Sequence, residues 1–304
     1  MPKKGTVISY FLAFLVIAMM VLSSLLYHRH EFVLPEIAAM VIAMWAYRDP
    51  NWLRHPLHIC IAPTATCIIG MSVNHLHLAY LCKAGIALAG IMAFLFLIRS
   101  NFAPSLATGL LPLITNAHNW MLVLIVLGST LMIMCVVVFF RMNAGLEKKK
   151  VIRYRYSFVF LMLVFAWMGI CGAAGFDRLG VIPPMIVVVY ESIQKREYNG
   201  NMALKQGIAL TISATVGTLL FLHVKSMAIV TFADIFAMLL LQWSLHVRIP
   251  AIYAFPLFPL IFPPDVVPAL PLATLATCLF MFPAMTAYKR LEKSARTEKS
   301  GVPM

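Results

Sequence analysis

Two short apolar stretches of this chain begin in the same way, with an arginine a few residues ahead of a proline: Arg99, Asn101 and Pro104 in RSNFAP, and Arg248 and Pro250 in RIP. Proline is tolerated at the first position of a helix because the first N–H groups have no intrahelical partner. Each stretch therefore predicts a short helix that presents unpaired N–H groups and a positive dipole end beside a guanidinium, a combination that attracts an anion. Arginines at helix ends also reach lipid phosphates without any further role, and that reading stands beside the first. Asn101, Thr108 and Tyr253 supply polar contacts for such an anion, Pro104 and Pro250 fix the helices, and Thr64 and Thr211 are secondary candidates.

Ionisable groups deep in apolar runs are costly and therefore functional suspects. Lys83 in YLCKAGIALAG and Asp234 in VTFADIFAM are such groups. They can form an ion pair or couple protonation to movement. As structural groups, Lys83 extends outward and Asp234 hydrogen-bonds a neighbouring helix. Glu36 and Glu191 lie nearer the ends of apolar runs and rank lower.

The histidines offer a different chemistry. His28, His30, His75, His77, His118 and His223 fall near one predicted face, and HRH and HLH bring two imidazoles together, as a zinc, copper or nickel site needs. No carboxylate or cysteine support completes a ligand set, so no metal is assigned and no cofactor is expected. The six cysteines lie in apolar runs without CxxC spacing and read as small core residues. HExxH and GxSxG are absent and the acidic residues number only 11, which argues against an enzyme.

The elements that carry these residues are membrane elements. Of 304 residues, 62% are hydrophobic and 12% charged, and apolar runs of about twenty recur, which predicts a polytopic, all-α transmembrane bundle in a lipid bilayer. The first run, Thr6 to Tyr27, is too long for a secretory signal core and is expected to be a retained helix. No loop is long enough for a soluble domain, so nucleic-acid recognition is not expected. Twelve segments are predicted, at 6–27, 33–47, 56–73, 79–98, 102–115, 119–140, 157–175, 181–194, 204–222, 226–246, 250–264 and 266–288. With the amino terminus cytoplasmic, 20 of the 24 Lys and Arg residues lie inside, leaving Arg29, Arg178 and Lys225 outside and Lys83 within a span. Segments 2, 5, 8 and 11 are short, about 21 Å of helix against a hydrocarbon core of about 30 Å. If they did not cross, the inside-to-outside ratio would fall from 20:3 to 14:9, so twelve crossings of an inner membrane with both termini cytoplasmic are expected.

The chain also repeats itself. Residues 33–115 align with 181–262 at an offset of 147 to 148: VLPEIAAM with VIPPMIVV, Arg48 with Arg196, Asp49 with Glu197, Asn51 with Asn199, Thr64 and Gly70 with Thr211 and Gly217, and Pro112 with Pro259. Lys83 and Asp234 then fall on equivalent segments. Two six-segment units, 1–150 and 151–304, are expected, parallel because each holds an even number of spans, with a site between them. Small-residue clusters such as GAAG at Gly172–Gly175 suit helix packing equally well, which leaves a structural or assembly role, or a homo-oligomer, open.

FAPSLATGLLPLI from Phe102 resembles the signature region of the HPP family of integral membrane proteins, in which a His-Pro-Pro triplet precedes a small-residue, Thr-containing helix. The triplet falls on Phe102, Ala103 and Pro104, and in the second unit on Ile249, Pro250 and Ala251; one proline is kept in each and neither keeps the histidine. The stretch from Glu36 to Gly70 is similar to the same family's upstream region, and aromatic acid exporter and fusaric acid resistance proteins show a comparable layout. The resemblance covers about 80 residues, twice, and implies a transporter of a small anion or organic acid.

Overall fold

The computed structural model describes residues 4–147, 153–195 and 197–300; Lys3, Arg196 and the middle of the linker between the two expected units lie outside them. Among the described residues the chain is helical, with no strand. Eight helices among these residues are long and apolar enough to cross a membrane: α1 (Lys4–Tyr27), α4 (Pro56–Asn74), α5 (Tyr80–Leu97), α7 (Met121–Phe139), α8 (Tyr154–Ala173), α10 (Gly200–His223), α11 (Met227–Leu245) and α12 (Leu270–Ser300). Large apolar side chains point outward along them, among them Phe11, Leu124, Phe158, Phe232, Trp243 and Leu279. A protein in water does not leave so much apolar surface uncovered, whereas a bilayer demands it.

Between the long helices run the short elements. The helix α2 (Pro35–Val41) continues as a π-helical turn over Ile42–Ala46 and is followed by the single turn α3 (Pro50–Leu53). The helices α6 (Pro104–Ile114) and α9 (Pro183–Gln194) follow in chain order. The fourth stretch consists of two 3₁₀ helices, Pro250–Tyr253 and Phe255–Leu260, rather than an α-helix. Pro256 and Pro259 each remove an N–H donor, and the tighter turn is what remains. All four stretches start with a proline, and every residue of α2, of α6 and of Phe255–Leu260 is buried. The long helices face outward and the short ones fill the middle, where irregular backbone inside a membrane is tolerated because protein surrounds it.

Two glycines allow this filling. A Cβ on Gly70 of α4 would stand 1.9 Å from the Gly109 carbonyl oxygen of α6, and a Cβ on Gly217 of α10 would stand 2.3 Å from the Pro256 Cα. Only glycine permits either approach. Beside each contact a hydroxyl bonds across: Thr66 Oγ1 lies 3.2 Å from Thr108 Oγ1, and Ser213 Oγ donates to the Ile252 carbonyl at 2.6 Å.

Three contacts set helix directions. Asn74, the last residue of α4, donates to the Ala117 carbonyl just ahead of α7 at 2.8 Å. Phe96 near the end of α5 meets Tyr154 at the start of α8, with ring centroids 5.2 Å apart. Gln242 near the end of α11 donates to Tyr10 Oη near the start of α1 at 2.8 Å. Each of these three pairs therefore runs antiparallel.

Candidate functional site

The four short stretches meet around one narrow cavity of about 20 Å³, room for a single water. Pro104 and Ala107 of α6, Pro184 and Val188 of α9, Pro250, Ala251 and Ala254 line it, with Ala39 and Glu36 of α2. The prolines expected to fix the short helices thus border the same space. The wall is apolar apart from two carboxylates and an indole, Glu36, Glu191 and Trp52.

Glu36 is in the first turn of α2 and only 4% exposed, and neither carboxylate oxygen has a hydrogen-bond partner among the described residues. Glu191 lies in the last turn of α9, where Trp52 donates its indole N–H to Oε1. Trp52 is itself held edge-on against Phe102, centroids 6.0 Å apart, so a ring from the 50–53 turn braces the entrance to α6. A buried charge must be paired or neutralised, because leaving it bare in an apolar wall costs several kcal/mol. The cavity therefore calls for a proton or a cation at Glu36.

The arginines take no part in the cavity wall. Arg99 and Arg248 are exposed, Arg99 in the left-handed region at φ 50°, and each precedes the start of a stretch that lines the cavity. Asn101 accepts from Tyr190 Oη at 3.0 Å through Oδ1, while its Nδ2 is buried without a partner. Thr108 is fully buried and turned toward Thr66 and the carbonyls of Pro104 and Ser105, away from the cavity wall. Tyr253 donates to Gln242 Oε1 at 3.0 Å, the same oxygen that accepts from Tyr47. Its phenol closes a polar cluster that ties α1, α11 and the 250–253 turn together.

Lys83 and Asp234 are not brought together. The Lys83 ammonium donates to the Asn74 carbonyl at 2.8 Å and so caps the end of α4. Asp234 on α11 is 3% exposed, with both carboxylate oxygens lacking a hydrogen-bond partner among the described residues. Among the described residues no ion pair joins them. Thr64 Oγ1 is buried without a hydrogen-bond partner, and Thr211 faces the groove between α10 and α12.

His75 sits edge-on to His118, centroids 5.5 Å apart, and stacks on Trp120. Among the described residues no group of three His, Cys, Asp or Glu side chains is placed to hold a metal. Of the six histidines, His75 and His118 are the pair brought into ring contact.

The sequence ranks Glu36 and Glu191 low because they stand near the ends of apolar runs, a measure that ignores how short elements turn toward each other. Trp52 carries no such apolar-run signal, although its place in RDPNWLRHP, a connection bounded by prolines, is a signal of chain folded back into the bundle. Compared with known proteins, the chain matches no family model, no curated protein and no solved structure.

Proposed function

We propose that this protein is a membrane transporter that moves a small anion or organic acid together with a proton, and that Glu36 is the group that takes up and releases the proton. The observation that carries this reading is a carboxylate with no partner at a cavity where all four short stretches meet. Two carboxylates in an apolar wall disfavour a bare anion, so an anion passes only with a proton on the site or on itself. In this reading Arg99 and Arg248, exposed and a few residues ahead of the lining prolines Pro104 and Pro250, draw the anion in, and Glu36 and Glu191 set the protonation condition for passage.

The architecture belongs to the same proposal: twelve crossings, in two parallel units over 1–150 and 151–304, in an inner membrane with both termini cytoplasmic. The antiparallel pairs α4 with α7, α5 with α8 and α1 with α11 support it. If the short stretches did not cross, each of these pairs would run parallel. The matching roles of Gly70 and Gly217 support a duplication, since each admits a short stretch against the third segment of its unit. The packing is reciprocal as well: α2 lies against Pro250–Tyr253 and α6 against α9, while α1 packs on α11 and α8 on α5. Such exchange supports a reading in which the central cavity lies between the units, where transporters built from repeats hold their sites.

Proteoliposomes loaded with a pH dye test the reading. On addition of nitrite, nitrate, formate, acetate or benzoate, the expected result is a saturable acidification with at least one of them, lost in Glu36→Gln. Passive entry of the neutral acid neither saturates nor depends on Glu36.

A further inference from the structure

A second cavity, of about 210 Å³, lies at the opposite end of the short stretches. Leu113 and Asn116, at and beyond the end of α6, and Phe262, beyond the end of Phe255–Leu260, close one side of it. Arg99 and Arg248, by contrast, precede the starts of those stretches. Its chemistry is the reverse of the central cavity. Lys83, Arg178, Asn74 and Tyr80 add its other polar groups, and among the described residues no carboxylate lines it.

The two cations hold donors in reserve. Lys83 uses one of its three N–H groups on the Asn74 carbonyl at 2.8 Å, and Asn74 is fixed in turn by its bond to the Ala117 carbonyl at 2.8 Å. Arg178 meets Asp265 at 3.7 Å, but these side chains are 56% and 74% exposed, so the pair is loose and most of the five guanidinium N–H groups are free for other partners. Asn116 holds the left-handed region at φ 48°, a conformation that asparagine tolerates, and turns the chain beside the cavity. Two positive charges, two side-chain amides and a phenol around a space of this size form a site for a small carboxylate or oxoanion, with neither charge cancelled inside the wall.

We propose that this cavity is an anion-binding vestibule for a free solute, on the face opposite Arg99 and Arg248. Lys83 and Arg178 supply its charge, and Asn116 and Tyr80 its neutral donors. The vestibule deepens the transport reading and rests on it only for its purpose, since binding is measurable without flux. An anion held there lies at the far end of α6 from the carboxylate cavity, so the proposed route carries anion-attracting cations on both faces, Arg99 and Arg248 on one and Lys83 and Arg178 on the other.

The test is thermal unfolding of the full chain in phosphatidylcholine nanodiscs, titrated with acetate, benzoate or inorganic phosphate at constant ionic strength against chloride. The expected result is a saturable rise in Tm for at least one of the three anions, little for chloride, an apparent affinity weakened at least about tenfold in Arg178→Gln, and loss of the response in Lys83→Gln. Lys83→Arg should keep it. Because Lys83 also caps α4, Arg178→Gln, on an exposed side chain, serves as the variant whose fold is not in question. An unchanged response in Arg178→Gln and Lys83→Gln, or an equal response to chloride, overturns the vestibule. So does loss of the solute response when anionic lipid is added to the disc, since the occupant would then be a headgroup. Binding that behaves as expected in a protein without flux would leave the vestibule standing and remove the transport reading; flux that depends on Glu36 with binding indifferent to Lys83 and Arg178 would do the reverse.

Discussion

Trp52 donates its indole N–H to the carboxylate of Glu191, a residue 139 positions further along the chain. One of the two carboxylates at the central cavity is thereby anchored, and the other, Glu36, has no hydrogen-bond partner. A fixed acid beside an unpartnered one divides the roles: Glu191 holds the wall, and Glu36 is available to exchange a proton.

Trp52→Phe keeps an aromatic ring at the contact with Phe102 and removes the indole N–H together with part of the buried ring volume. Unfolding in mixed micelles should show a loss of about 1–3 kcal/mol, from leaving a half-buried acceptor short of its donor and from the lost ring volume. The double variant with Glu191→Gln should lose less than the two single losses combined, because the groups interact directly.

Gly70→Ala and Gly217→Ala should each destabilise by about 1–3 kcal/mol or more, since the added methyl meets backbone and not a movable side chain. Gly128→Ala is the control: nothing lies within 4 Å of its Cβ position, and alanine is the better helix former by about 0.5–1 kcal/mol. Thermal unfolding of the three variants side by side makes the comparison. A mild effect at both Gly70 and Gly217 would show that the short stretches are not packed as described.

Lys83→Gln and Asp234→Asn should be additive in stability to within about 0.5 kcal/mol, as expected of groups that share no partner. A larger coupling in the double-variant cycle would restore the ion pair that the sequence alone allows.

Much of the fold was legible in the apolar runs. The runs at 56–73 and 79–98 correspond to α4 (Pro56–Asn74) and α5 (Tyr80–Leu97), because length and hydropathy measure what a bilayer requires of a helix. The prolines at positions 104 and 250 were legible as starts of short elements, and both border the cavity. What a run of hydropathy does not encode is facing. Glu36 and Asp234 are both acids in apolar surroundings, yet only Glu36 lines a cavity among the short stretches, a consequence of packing between elements far apart in sequence. Thr108 suffers the same limit in the other direction: it reads as a polar group in a small-residue helix, and its hydroxyl is taken up by Thr66 and by carbonyls of its own turn.

Twelve crossings and eight make opposite predictions for Lys225, between α10 and α11. In a cysteine-free background, Lys225→Cys should label from the same side as Arg178→Cys and from the side opposite Asn143→Cys. With eight crossings Lys225→Cys would instead label with Asn143→Cys.

The most direct measurement is proton movement in proteoliposomes that carry Glu36→Gln beside the unaltered chain, on addition of the organic acid that gives the largest saturable response. Glutamine keeps the shape and removes both the charge and the exchangeable proton, so the variant should fold with undiminished stability. The account predicts acidification reduced at least about tenfold in Glu36→Gln. Acidification equal to that of the unaltered chain, with the variant folded and inserted, would contradict it.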